Sequence, residues 1–169
     1  MDTTFKFVSL TYTQTKTYLF AALFLLGNIL LPQLCHCVEL GGPTWLPIYF
    51  FTLIGAYKYG MRLGLLVAVL SPLINSFLFG MPVIAVLPAI ITKSVLLAVA
   101  SGYVASRYKK VGILSLLAVV MFYQVFGSIA EWFITGSADA ALQDFRIGIP
   151  GMMLQIIGGY FLLKSISRI

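Results

Sequence analysis

The sequence predicts an all-α integral membrane protein with six transmembrane helices and both termini cytoplasmic. Three observations carry that expectation. Of the 169 residues, 60% are apolar and 9% charged, with a mean hydropathy of +1.01. A soluble domain is typically about 45–50% apolar and about 25% charged. A soluble fold of this size could not bury so much apolar surface, and apolar, aromatic-rich chains collapse and do not stay disordered. The apolar residues also fall into runs long enough to cross a bilayer, and the basic residues gather between alternate runs.

Residues 1–17 are polar and lack the compact basic–apolar–small pattern of a signal peptide. They are expected to form a cytoplasmic segment that is retained. A helix needs about 20 apolar residues to cross the ~30 Å hydrocarbon core. The spans are read at 18–34, 46–57, 63–79, 83–106, 113–135 and 147–163, making a membrane domain over 18–165 with a tail at 166–169. The second span is short for a full crossing. Either it is tilted, or Pro47 begins an already submerged turn.

Basic residues decide the orientation. With both termini inside, the cytoplasmic segments hold Lys6, Lys16, Lys58, Arg62, Arg107, Lys109, Lys110, Lys164 and Arg168, nine of the eleven Lys and Arg. The outer loops hold Glu39, Asp139, Asp144 and a single cation, Arg146. This is the positive-inside asymmetry, and an odd number of spans would destroy it.

Several function classes lose support. The net charge of +6 is spread between apolar runs and covers no one face, so nucleic acid is not an expected partner. No soluble domain is attached, and no Gly-rich phosphate loop followed by Lys-Ser/Thr is present, so any ATP motor must be another chain. No internal repeat supports the inverted architecture of many secondary carriers. Cys35 and Cys37 are too close in sequence for good disulfide geometry. On a helix, Cys35, His36 and Cys37 diverge by about 100° per residue and cannot face one ion. No metal or cofactor is expected. No nucleophile–base constellation is visible either, so an enzyme is not expected.

Polar side chains within spans are costly and suggest binding sites or buried pairs. Here they are Asn28, Gln33, His36, Asn75, Ser76, Lys93, Gln124, Glu131 and Gln155. Counting inward from the outer span ends, Asn75 and Glu131 lie roughly 6–8 Å deep, Gln155 roughly 12 Å, and Lys93 and Gln124 roughly 15–17 Å. The set is biased to the outer half, which favours an outward-opening cavity for a small polar solute over scattered interhelical hydrogen bonds worth about 0.6 kcal/mol each. Trp45 and Tyr49 flank Pro47 beside the Gly41-Gly42-Pro43 turn and are expected to wall its mouth. Two readings of Lys93 and Glu131 stand: a neutralising pair, or a solute-anchoring pair. Lys93 and Arg146 hint at a carboxylate or phosphate on the solute, a hint that Glu131 would remove by neutralising Lys93. Ser94, Ala98 and Gly102, spaced by four, offer a small-residue face for close helix packing.

Residues 40–82, LGGPTWLPIYFFTLIGAYKYGMRLGLLVAVLSPLINSFLFGMP, resemble the substrate-binding S components of energy-coupling factor (ECF) transporters. The matching features are the Gly-Gly-Pro turn, the Leu46-Pro47 opening, Gly60-x-x-x-Gly64, Ser71-Pro72 and the Gly80-Met81-Pro82 turn. The resemblance implies a multi-pass protein of the cell (inner) membrane of a prokaryote that binds a vitamin or similar micronutrient with high affinity. It implies partners as well: a membrane coupling subunit and two cytoplasmic ATPase subunits, on which the S component reorients to release its solute. Outer loops 39–45, 80–82 and 136–146 would cover the pocket. The resemblance implies a pocket drawing on Lys93, Glu131, Arg146 and Gln155; with the polar and mouth residues read above, the expected substrate-binding residues are His36, Trp45, Tyr49, Asn75, Lys93, Gln124, Glu131, Arg146 and Gln155. One departure stands out. Many S components carry Ala-x-x-x-Ala on the first span for docking, whereas here Ala21 and Ala22 are followed four residues on by Leu25 and Leu26. The alternative is a solitary small-solute carrier without an ATPase partner.

Overall fold

The computed structural model describes residues 3–4 and 7–166. Lys6 and Arg168, two of the cations assigned to the cytoplasmic side, lie outside the described residues. The structure is a helical bundle: α1 (Thr15–Cys35), α2 (Gly41–Trp45), a 3-10 turn (Pro47–Tyr49) running into α3 (Phe50–Tyr59), α4 (Met61–Phe79), α5 (Leu87–Tyr108), α6 (Ile113–Thr135), α7 (Ala138–Ile147), α8 (Ile149–Met153) and α9 (Gly159–Ile166). A π-helical segment, Leu154–Gly158, joins α8 to α9. Among the described residues, five helices are long and apolar enough to cross a membrane: α1, α4, α5, α6 and the continuous run Ile149–Ile166. This is an all-α membrane protein in its architecture. Among the described residues the one sheet element is a two-residue antiparallel pairing of β1 (Thr3–Thr4) with β2 (Lys110–Val111).

The second expected span takes a different form. Residues 47–59 are helical over only about 20 Å, short of the ~30 Å core, because Pro47 starts the helix well below the ends of its neighbours. Thr52 through Lys58 are all buried, and α3 packs against α1, α4, α5 and α9. A helix apolar all round belongs in the middle of a bundle, and α3 is that central element. Close packing around it uses small residues. Ala56, Ala68 and Ala98 form one buried cluster. A Cβ on Gly64 would lie 2.4 Å from the Ala56 Cβ, and one on Gly102 would lie 2.7 Å from the Met61 backbone. The Ser94–Ala98–Gly102 face expected from the sequence is therefore buried at the contact of α5 with α3 and α4.

The two ends of the bundle differ. At one, Val8 and Leu10 donate backbone hydrogen bonds to Lys58 and Tyr59, Tyr57 donates to the Lys110 carbonyl at 2.7 Å, and Lys58 Nζ donates to the Ile166 carbonyl at 2.8 Å. The N-terminal segment, the α5–α6 turn and the end of α9 thus meet at the end carrying Arg107, Lys109 and Lys110. At the other end, α4 and α6 stop at Gly80 and Gly136, which take the left-handed conformation at φ +68° and +67°, the common glycine helix stop.

Two further features differ from expectation. Most of residues 136–146, expected as a loop, form α7 (Ala138–Ile147). Ser137 accepts the Ala140 N–H at 3.2 Å as N-cap, Asp139 lies in the first turn and Arg146 in the last, the charge order that complements the helix dipole. The fourth span begins at Leu87 instead of 83. Residues 83–86 form turns, and the fixed ring of Pro88 suits the first turn of a helix.

Candidate functional site

A cavity of about 310 Å³ opens at the end of the bundle opposite Arg107, Lys109 and Lys110. It occupies the space above the start of α3, where the short central helix leaves its longer neighbours unfilled. Its floor is Pro47, Ile48 and Tyr49, and its walls come from α1, α2, α4, α5, α6, α7 and the 81–86 turn.

The floor is held by a polar network from neighbouring helices. Asn28 on α1 donates to Thr52 Oγ1 at 3.0 Å and accepts the Phe51 N–H at 3.2 Å. It thereby satisfies one of the donors a helix start leaves unpaired. Asn75 on α4 donates to the carbonyls of Asn28 and Ser71, each at 2.9 Å. With both donors so used, Asn75 Oδ1 is a buried acceptor without a partner among the described residues, and Asn75 lines the cavity.

One wall is held in a strained conformation. Leu46 lies in the left-handed region at φ 47° and ψ 45°, which costs a non-glycine residue of order 1–3 kcal/mol. The α8 helix presses on it. A Cβ on Gly151 would lie 2.4 Å from the Trp45 carbonyl, so only glycine permits this approach. Trp45 itself is 41% exposed, and its successor Leu46 lines the cavity in its place.

The charged centre is a triad. Lys93 Nζ on α5 contacts Glu131 Oε2 on α6 at 2.5 Å and donates to Asp144 Oδ2 on α7 at 2.8 Å. All three side chains are at most 13% exposed, and all three line the cavity. The stem of Lys93 lies across Gly127, where a Cβ would approach Lys93 Cγ to 2.5 Å. Because α5 begins at Leu87, Lys93 lies roughly 9 Å from its helix end. That is the level of Asn75 and Glu131, not the midplane expected from the sequence.

Of the nine expected site residues, the structure brings His36, Tyr49, Asn75, Lys93 and Glu131 to the cavity. Four lie elsewhere. Gln124 and Gln155 are fully buried away from the cavity lining, and Gln155 accepts the Tyr123 hydroxyl at 2.8 Å. Trp45 is displaced as described. Arg146 is exposed and paired with Asp139 at 3.0 Å. The reason is helical geometry: two residues apart on α7, the side chains of Asp144 and Arg146 diverge by about 200°. With Asp144 facing the cavity, Arg146 faces away.

These placements remove the basis for an anionic solute. Lys93 is already matched by two carboxylates, and the second expected cation is at the surface. Asp144 and Gln143 are the polar cavity-lining positions that sequence reasoning missed. The signal was present in the helix start at Ser137 and the three-residue spacing of Ala141 to Asp144, which puts both on one face. Compared with protein families, with curated proteins and with solved structures, the chain shows no match.

Proposed function

We propose that this chain is a membrane-embedded solute-binding subunit for ATP-driven micronutrient uptake of the ECF S-component kind. In this reading the chain crosses the membrane six times in a prokaryotic cell membrane, α3 counting as a short crossing, with both termini cytoplasmic. The observation that carries the reading is the cavity at the end of the bundle opposite the basic cluster. By the positive-inside tendency that end faces outward, so the cavity is open to solute from outside. The short central helix, the α2 turn, the 81–86 turn and α7 enclose it, which is what a receptor for a small solute requires. The chain's role is binding and reorientation, with no chemical step. A membrane coupling subunit and two cytoplasmic ATPase subunits supply the drive.

A second reading, a solitary carrier, is favoured by one observation. The exposed face of α1 carries Leu19, Leu23, Leu26, Leu30 and Leu34, bulky side chains where small ones would let a partner helix approach closely.

The test is native mass spectrometry of the protein purified gently in detergent from its own host. A discrete added mass of a few hundred daltons supports the binding subunit, and a co-purifying membrane protein with ATPases supports the ECF arrangement. A bare monomer, together with uptake that persists when the ATPases are absent, would replace it with the solitary carrier.

A further inference from the structure

Resting on the solute-binding reading, we infer that the cavity selects a small solute carrying a positive charge, with Glu131 and Asp144 as its counter-ions and Asn75 Oδ1 as its hydrogen-bond acceptor. The charge balance leads there. Three formal charges line the cavity, one positive on Lys93 and two negative on Glu131 and Asp144. The lysine neutralises one carboxylate and leaves a net negative charge in a largely buried, membrane-enclosed space. Buried charge is stable only when paired, and a cationic solute completes the pairing. Arg146 adds nothing inside the cavity, being spent on Asp139.

A second, independent feature points the same way. Asn75 is 1% exposed, and its two amide donors are used on backbone carbonyls. What remains for a solute is an acceptor, Oδ1, which has no partner among the described residues. Beside the donors of His36, Tyr49 and Gln143, the cavity therefore offers a free acceptor and excess negative charge, the complement of an N–H-bearing cation. Tyr49, 3% exposed and on the floor, adds an aromatic ring, and rings attract cations. Helix ends do not reverse the sign. The helices α1, α4 and α6 end at this face, whereas α3, α5 and the run Ile149–Ile166 begin there, so their half-charges cancel. Counting Glu39, Asp139 and Arg146, the outer end is acidic overall, which steers cations toward the mouth. The volume of about 310 Å³ is at the lower end of the range of about 300–1,000 Å³ for small-molecule pockets.

The test uses three probes of one shape and different charge: benzylammonium, benzyl alcohol and benzoate. Each is titrated at millimolar concentration against the full-length protein in detergent, and dissociation constants are taken from the rise in melting temperature. The expected result is benzylammonium binding about tenfold more tightly than benzyl alcohol, the scale of one hydrogen bond to a charged group. Benzoate should be the weakest. Asp144→Asn should bring benzylammonium down to the affinity of benzyl alcohol, and Glu131→Gln serves the same purpose if the first variant does not fold. Benzoate binding as tightly as benzylammonium overturns the cation inference and leaves the solute-binding reading intact. Failure of all three probes to bind overturns the inference too. The mass-spectrometric adduct then decides separately whether the solute-binding reading falls with it.

Discussion

Replacing Lys93 with methionine tests the triad most directly. Methionine keeps the apolar stem that packs over Gly127 and removes only the ammonium. Glu131 and Asp144, at 11% and 13% side-chain exposure, are then left with no cation between them. Removing one partner of a buried pair costs about 3–5 kcal/mol, because the other charge stays buried and unpaired. For a chain of this size each kcal/mol corresponds to about 2–4 °C in melting temperature, so Lys93→Met should melt about 6–20 °C below the wild type. The triple variant Lys93→Met/Glu131→Gln/Asp144→Asn removes all three charges while keeping their shapes, and it should recover most of the loss. The assay is the melting temperature of detergent-purified protein by intrinsic fluorescence, with monodispersity by size exclusion. A Lys93→Met protein that melts within about 2 °C of wild type, with the triple variant no better, would refute the neutralising triad. It would return Lys93 to the role of an anion anchor.

Three other outcomes follow from the geometry. Gly151→Ala puts a methyl group against the backbone of Trp45, which cannot rotate aside as a side chain would. It should displace the Leu46 wall and abolish the bound-solute mass in native mass spectrometry, at a folding cost of about 1–3 kcal/mol. Asn28→Ala takes the side-chain acceptor from the Phe51 N–H and the donor from the Thr52 hydroxyl, which keeps its bond to the Ile48 carbonyl, and should destabilise the protein by about 1–3 kcal/mol, read as a lower melting temperature. Arg146→Ala should change neither melting temperature nor solute affinity, because the residue is exposed and its pair with Asp139 is of the surface kind that contributes little. A tenfold loss of affinity in that variant would put the binding site on the outer face of α7.

Part of the architecture is legible in the amino-acid order. The long spans appear within a few residues of their observed bounds because length and hydropathy are local properties set by bilayer thickness. The residues of polar character inside those spans are legible too, and four of them, His36, Asn75, Lys93 and Glu131, meet at the cavity. Legibility stops where direction and company matter. Sequence identifies Gln124 and Gln155 as buried amides but does not show that they stand apart from the cavity while Asn75 faces it. It places Asp144 and Arg146 in one polar stretch, and only the winding of α7 sends one inward and the other out.

By itself, then, the sequence determined the class of this protein, its apolar helices and the few costly groups those helices bury. The tertiary structure alone decided what those groups do. The space above α3 exists because Pro47 starts that helix low while its neighbours continue, a difference in height that no local pattern records. The sign of that space was decided when α7 carried a second carboxylate onto Lys93. A lysine with one acidic neighbour is neutral, and with two it leaves a charge for something else to balance.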